Sequence, residues 1–171
     1  MSITIRIPSS LLKQIKIDLA RPHAYAGERV GFLSAKTSKL SDDDYLILFN
    51  RYFQVQDDRY LDNPLVGAMI DGKAIHNIMQ NILSTGDGAF HVHSHFHVGL
   101  AGKNLNFSKV DISELIRLIP SFQAVGPSVA HGAFLFNENL CTSIAWPPGE
   151  RRPCAVDKIS IIGNPMQFSL G

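Results

Sequence analysis

The sequence predicts an α/β fold in which a mixed central β-sheet is flanked by helices. Short stretches in which apolar and polar residues alternate, as from 3 to 7, predict strands. Longer stretches with apolar residues three and four positions apart, clearest from 71 to 84, predict helices. The two kinds follow one another as β, α, β, β, α, β, α and then several strands. This order is typical of one sheet with helices packed against it.

The N-terminal part of the chain predicts a strand, a helix and two further strands. Isoleucines alternate with polar residues up to Pro8, which ends the first strand. Ser9 or Ser10 is expected to cap the helix that follows. The segments ERVGFLSA and YLILFNRYFQVQ predict the next two strands, because they are rich in β-branched and aromatic residues. Glu28 lies at the start of the first of these strands.

The remaining elements follow from the same two patterns. The stripe from Asp71 to Ser84 includes Leu83 and predicts a core-packed helix, which the turn TGDG separates from a histidine-rich strand. A stripe from Ile112 through Ile116 to Ile119 predicts a helix that ends at Pro120. The segments HGAFLFN and LCTSIAW predict a hairpin, and AVDKISIIG predicts a last strand.

Composition narrows the class of protein. A chain of 171 residues that is 45% hydrophobic and 18% charged is expected to form a single globular domain, residues 1–171. Its 16 basic and 15 acidic residues balance and form no long run of one sign, which argues against nucleic-acid binding and against docking on a membrane.

The first residues lack signal-peptide features, no apolar run is long enough to span a bilayer, and the two cysteines form no disulfide framework. We therefore expect a cytoplasmic protein.

The segment AFHVHSHFHVGLAGKNLNFSKVD contains the candidate metal ligands. His91, His93, His95 and His97 alternate, and alternate side chains of a strand point to the same face, so that neighbouring imidazoles can converge. Asp111 follows after a loop that contains glycine. Catalytic zinc usually takes three protein ligands and keeps a further position open, and two of these histidines with Asp111 would satisfy that requirement.

Each part of this pattern also has a purely structural interpretation. A single histidine on a strand is more often hydrogen-bonded than metal-bound, and we expect structural roles for His23, His76 and His131. The spacing of Ser108 and Asp111 before an apolar stripe is also that of a helix capping box. It is the combination of these parts, in this order, that favours a functional site.

Together, Glu28 in GERVGFL, His93-Ser94-His95 and Ser108-Lys109-Val110-Asp111 resemble the Glu, His-x-His and Ser-x-x-Asp elements of the JAMM (MPN-plus, JAB-domain) zinc metalloproteases. The resemblance spans residues 28 to 111 and implies a JAB-like domain with cytidine-deaminase-like layering. It implies that His93, His95 and Asp111 bind one zinc ion per chain. Glu28 would then act as general base, and Ser108 would assist at the oxyanion.

Two departures from the family pattern leave a second ligand pair open. Phe96 stands where the family often has proline, and the interval FHVGLAGKNLNF before Ser108 is longer than usual. His91 with His93 is therefore the alternative to His93 with His95. In the preferred assignment, His91 is a core residue or contacts the metal ligands without binding the metal itself. His97 lines the cleft.

The resemblance also implies a substrate class. Members of this family cleave the amide or isopeptide bond that follows the C-terminal tail of a ubiquitin-like protein, either to mature a precursor or to remove a conjugate. Single-domain bacterial members occur beside ubiquitin-like activating and conjugating enzymes, including antiphage conjugation systems, and these enzymes are the expected partners. Two alternatives stay open: a zinc amidohydrolase acting on a small molecule, and a non-catalytic binding scaffold of the MPN type. A zinc nucleobase deaminase is disfavoured, because the chain has neither His-x-Glu nor Cys-x-x-Cys.

Overall fold

The computed structural model of the chain describes residues 1–95, 105–138 and 140–163, and it confirms the α/β class. None of the helices in these ranges combines the length and the apolar character that crossing a bilayer requires. In chain order the elements are β1 Ser2–Pro8, α1 Ser9–Leu19, β2 Val30–Lys39, β3 Asp44–Gln54, a 3-10 turn Asp57–Arg59, α2 Gly72–Thr85, β4 Gly88–Ser94, α3 Lys109–Val125, β5 His131–Phe136, β6 Cys141–Trp146, β7 Cys154–Ala155 and β8 Lys158–Ile162.

The strands form one mixed sheet. Within the described ranges it has eight strands in the order β7-β6-β5-β4-β2-β3-β1-β8. Strand β1 is parallel to its neighbours β3 and β8, and β4 is parallel to β5. The other neighbouring strands are antiparallel, including the predicted β5–β6 hairpin. Strand β4, which carries the histidines, lies in the interior of the sheet between β2 and β5.

The two faces of the sheet bury separate hydrophobic cores. Helix α1 packs on one core, and helices α2 and α3 contribute to the other. In β4, Phe90 and Val92 belong to the α1 core, whereas Ala89 belongs to the core with α2 and α3. Because side chains alternate along a strand, His91 and His93 lie on the side of Ala89 and face the layer that contains α3.

The sheet curls so that its two outer strands approach each other. Strands β7 and β8 are at opposite ends of the strand order, yet only Val156 and Asp157 separate them in the chain. Two residues span only about 10 Å at full extension. Asp157 also bonds to Ile3, since its N–H donates to the Ile3 carbonyl (3.0 Å) and its carboxylate accepts from the Ile3 N–H (2.8 Å). The prediction of a last strand in AVDKISIIG is confirmed by β8, but its predicted start is wrong, because Ala155 belongs to β7 at the opposite edge.

The predicted start of the first helix is also wrong. Strand β1 runs directly into α1, so that Pro8 occupies the N-cap position, makes no side-chain capping bond, and leaves Ser9 and Ser10 inside the helix. The fixed φ of proline, here −59°, suits this abrupt change from strand to helix.

Helix α3 does not end at the predicted proline. Pro120 lies inside the helix, which continues to Val125. Proline removes the hydrogen bond to the Ile116 carbonyl, but Pro120 and Ile116 are both exposed, so that water can reach the freed group. The buried side chains of Ile119 and Phe122 hold the helix on the sheet across this position.

Two residues of the predicted helical stripes do not reach the core. Leu83 is 58% exposed and Ile116 is 57% exposed. In α2 the deeply buried positions are Ala74, Ile78 and Ile82, which lie four residues apart. One residue beyond Ile82, the helix has rotated by about 100° and Leu83 faces solvent.

Candidate metal centre

Strand β4 presents a row of imidazoles on one side of the sheet. The ring centroids of His91 and His93 are 5.3 Å apart, and those of His93 and His95 are 5.1 Å apart. Pairing with β2 and β5 holds the backbone of this strand on both sides, at His93 through Val30 and Leu135. The row is therefore built on the interior of the sheet.

The start of α3 brings a carboxylate to this row. Ser108 is the N-cap residue: its hydroxyl accepts from the Asp111 N–H (3.1 Å), and Asp111 Oδ2 accepts from the Ser108 N–H (2.7 Å). The predicted capping box is thus present. It fixes the orientation of the Asp111 side chain at the first turn of the helix.

His93, His95 and Asp111 form a group that could hold a metal ion. One ligand atom from each lies within 4.8 Å of the others. Asp111 Oδ1 is 3.5 Å from His93 Nε2, and Asp111 Oδ2 is 3.8 Å from His95 Nε2. Ligand atoms bound tetrahedrally at about 2.1 Å from zinc would lie about 3.4 Å apart, and the two distances from Asp111 to the histidines are close to that value.

His93 supplies an independent sign that the group is built for a ligand. The residue is 2% exposed, and neither of its ring nitrogens has a hydrogen-bond partner within the part of the chain that the structure describes. At 3.5 Å the contact between His93 Nε2 and Asp111 Oδ1 lacks hydrogen-bond geometry. A buried nitrogen without a partner carries a desolvation cost, which coordination of a metal would offset. The residues present therefore fit a metal ion.

The carboxyl group of Asp111 is ionised around neutral pH. Burial opposes its ionisation, but the neighbouring His93 ring and the bonds with Ser108 outweigh that effect and hold the pKa of Asp111 below its usual range. Two imidazoles and one carboxylate form a donor set that suits a divalent transition-metal ion.

His91 stands next to the group and outside it. Its ring contacts the edge of Phe32, at 5.7 Å between centroids. Part of its surface remains accessible, yet desolvation among the surrounding protein atoms, with a smaller contribution from His93, lowers the pKa of His91 to about 3. The ring is neutral at physiological pH. The structure thus brings together His93 and His95 with Asp111, and it does not include the alternative ligand His91 in that group.

Glu28 reaches the same site from the segment before β2. With His91, His93 and Asp111 it lines a cavity of about 430 Å³, whose other walls are mainly apolar side chains from the 63–70 segment, α2 and α3. Glu28 and Ser94 also line a second cavity of about 660 Å³. Glu28 therefore stands between two cavities beside the histidine row.

The remaining predicted residues occupy different surroundings. Ser108 is exposed, and the neighbouring Val110 and Asp111 line the 430 Å³ cavity in its place. His97 lies outside the described residues. His131 is buried and structural, because its Nδ1 accepts from the Ala89 N–H (3.1 Å) and its Nε2 donates to the Gly126 carbonyl (2.8 Å). Burial lowers the pKa of His131, although the bond to Gly126 acts in the opposite direction.

His23 and His76 lie outside the histidine row. His23 Nδ1 accepts from the Ala26 N–H at 3.2 Å, and its ring packs against Tyr60 at 4.5 Å between centroids. His76 is exposed on α2.

The sequence interpretation missed two features of the cavity. Glu114 lies one helical turn after Asp111, lines the cavity and pairs with Arg117 at 3.1 Å. The three-residue spacing from Asp111 was the signal that could have revealed it. Gly67 lies against Glu28 in the wall of the cavity, and no local pattern in the sequence points to that contact.

Comparisons with known proteins add only a distant structural similarity. No family model matches the chain, and no curated protein matches it. Among solved structures, the chain is similar to the solution structure of protein DSY2949 from Desulfitobacterium hafniense, with 14% sequence identity and a TM-score of 0.47 over 94% of this chain and 95% of that chain. Similarity at this level carries no conclusion about activity.

Proposed function

We propose that this protein is a zinc-dependent peptidase of the JAMM type, with a JAB-like fold, that cleaves the amide or isopeptide bond following the C-terminal tail of a ubiquitin-like protein. The observation that carries the proposal is the His93–His95–Asp111 group, whose ligand atoms lie within 4.8 Å of one another beside a cavity that Glu28 also lines. The residue types and their order agree with the family pattern. His93, His95 and Asp111 would hold the zinc ion.

The metal ion and the side chains of this chain contribute different steps of amide hydrolysis. Zinc, when bound, supplies a Lewis acid that polarises a carbonyl and makes water acidic enough to attack near pH 7. Glu28 accepts a proton from the attacking water. As the C–N bond breaks, Glu28 returns a proton to the leaving amine, which amide hydrolysis needs as much as it needs a nucleophile.

Ser108 can support both the helix and the reaction. Its oxygen accepts the Asp111 N–H, and a hydroxyl that accepts one bond keeps its own proton to donate. Donation to the oxyanion of the tetrahedral intermediate is worth about 3 kcal/mol in related chemistry. The capping box and the oxyanion role are therefore compatible in one residue.

The two cavities that meet at Glu28 support a substrate that extends past the site in both directions. A ubiquitin-like tail would occupy one side of the scissile bond, and the amine or the following peptide would occupy the other. In both maturation and deconjugation the tail supplies the acyl group. The activating and conjugating enzymes of such a modifier are the expected partners.

The deciding experiment measures zinc and cleavage in the same preparations. We expect about one zinc per chain in the wild type, and we expect both zinc and cleavage of ubiquitin-like fusion proteins to be lost in Asp111→Ala. Asp71→Ala is the matched control, because Asp71 caps α2 by accepting from the Ala74 N–H (2.9 Å) and its loss removes a helix cap without touching the histidines. No zinc in the wild type, even after reconstitution, would refute the proposal and favour a binding scaffold.

One observation favours a second candidate, a zinc amidohydrolase that acts on a small molecule. The 430 Å³ cavity has the volume and the mainly apolar walls of a small-ligand site. Parallel assays on ubiquitin-like fusions and on small N-acyl amides separate the two candidates. Zinc-dependent turnover of the amides alone would select the second.

A further inference from the structure

We infer that Gly67 is a positioning residue for the Glu28 carboxylate. This inference rests on the proposed function for its catalytic meaning, and on contacts between described residues for its geometry. Gly67 lies in the segment between the 3-10 turn and α2, far from Glu28 in the chain. The contact depends on the closure of this segment, on its anchor to β2, and on the absence of a side chain at Gly67.

The segment closes on itself before α2 begins. Tyr60 and Ile70 form an antiparallel bridge, the Leu61 N–H donates to the Met69 carbonyl (2.8 Å), and the Asp71 N–H donates to the Arg59 carbonyl (2.8 Å). These pairs bring the two ends of the 61–69 segment together. Gly67 is therefore carried on a closed loop.

Tyr60 anchors this loop to the start of β2. Its hydroxyl accepts from the Val30 N–H (2.9 Å) and donates to the Val30 carbonyl (3.1 Å), and the residue is only 3% exposed. The guanidinium of Arg29 lies over the Tyr60 ring at 5.7 Å. The two residues after Glu28 are thus tied to the base of the loop that carries Gly67.

Gly67 contacts Glu28 at the backbone and at the side chain. The Glu28 N–H donates to the Gly67 carbonyl (3.0 Å). A Cβ built on Gly67 would lie 2.9 Å from Glu28 Oε2, 3.0 Å from Cδ and 3.3 Å from Cγ. The space that a side chain at position 67 would need is the space that the Glu28 carboxylate occupies.

The backbone of Gly67 does not itself require glycine, because it is not among the described glycines with positive φ. An alanine could adopt this conformation, and the clash would be with the movable end of Glu28. Gly67→Ala should therefore leave the fold intact and displace the carboxylate. Small displacements of a catalytic group can lower the rate by about 10- to 100-fold.

The first test observes Glu28 directly and needs no turnover. The chain has only four glutamates, at positions 28, 114, 138 and 150, so that ¹³C labelling of the side-chain carboxyl carbons gives a simple NMR spectrum in which Glu28→Gln assigns the signal. We expect Gly67→Ala to shift the Glu28 resonance and leave the other three in place. Gly72→Ala is the matched control, because a Cβ at Gly72 would meet nothing within 4 Å. A Glu28 resonance unchanged by Gly67→Ala would overturn the inference.

The second test asks whether Gly67 acts on the reaction through Glu28. We expect Gly67→Ala to retain zinc and the melting temperature while kcat falls about 10- to 100-fold. In a Glu28→Ala background, Gly67→Ala should cause no further loss, because the group that it displaces is already absent. Equal losses in both backgrounds would overturn the inference. A wild type without zinc or cleavage would instead refute the proposed function, and the NMR comparison would still decide whether Gly67 positions Glu28.

Discussion

The carboxylate of Asp111 uses its two oxygens differently. Oδ2 accepts from the Ser108 N–H, completes the capping box and lies 3.8 Å from His95 Nε2, while Oδ1 approaches His93 Nε2 at 3.5 Å. The structural and functional interpretations of the Ser-x-x-Asp spacing are therefore compatible in one residue. The cap orients the side chain toward the histidines, which is the support that a metal ligand needs from its surroundings.

Glu28 can be tested separately from the ligand group. We expect Glu28→Ala to retain zinc and to lose hydrolysis by at least about 100-fold, because a general base contributes roughly that much and the ligands remain. The measurement is zinc content by elemental analysis together with kcat on a ubiquitin-like fusion. Glu150→Ala removes a carboxylate away from the histidine row and serves as the control. A fully active Glu28→Ala protein would eliminate Glu28 as the base.

At the scale of elements, a partly buried polar cluster joins the start of β4 to β2 and β3. Asp87, just before β4, accepts from Ser34 Oγ of β2 (2.9 Å), Asn50 Nδ2 of β3 (2.9 Å) and Lys36 Nζ of β2 (3.1 Å). Asp87 is 6% exposed. Burial opposes its ionisation, but these three donors outweigh it and lower the pKa of Asp87 below the ordinary value.

This cluster predicts how stability depends on pH. Because the pKa of Asp87 is lower in the folded state, its contribution is fully present above the unfolded-state pKa of about 3.9 and is lost as the pH falls below that value. We expect Asp87→Asn to lower the free energy of unfolding by about 1–3 kcal/mol near neutral pH and by less near pH 3.

Urea unfolding at the two pH values measures the difference between Asp87→Asn and the wild type. Asp42→Asn is the control, because Asp42 also pairs with a lysine but its side chain is fully exposed. A difference that stays constant or grows on acidification would contradict the assigned direction of the Asp87 pKa.

The elements that were predicted correctly are those whose pattern repeats locally. Helix α2 was predicted within one residue, because its apolar period, its Asp71 cap and the left-handed Gly86 that ends it are all local signals. The end of α3 was predicted incorrectly. The helix tolerates Pro120 because Ile119 and Phe122 pack on the sheet and because water can reach the exposed side. Those circumstances depend on the environment of the helix in the fold.

At the scale of the whole molecule, the curled sheet depends on one short connection. Asp157 ties the turn between β7 and β8 to β1 through both the N–H and the carbonyl of Ile3. We expect Asp157→Ala to lower the free energy of unfolding by about 1 kcal/mol, because the Ile3 N–H loses its carboxylate partner. Chemical denaturation is the measurement.

The control for this substitution is Asp62→Ala, which removes an exposed carboxylate from the 61–69 loop. Equal stability of Asp157→Ala and the wild type would show that water replaces the lost bond at this edge. The pairing of β1 with β8 would then hold this edge in place.

The sequence by itself determined the class of the fold, the order of strands and helices up to the hairpin, and the set of residues able to bind a metal. These properties are local, because strand alternation, helical period and the chemistry of each side chain can be recognised within a few positions. The histidine row follows from the period of one strand, and the capping box follows from one helix start.

Only the tertiary structure decided which of these residues meet. The approach of Asp111 to His93 and His95 depends on how α3 packs against α2 and β5. The contact of Gly67 with Glu28 depends on a loop anchored by Tyr60. The division of the last segment between two edges depends on the curl of the whole sheet. These contacts join residues distant in the chain, and their physical reason is the packing of buried surfaces, which no short stretch of sequence contains.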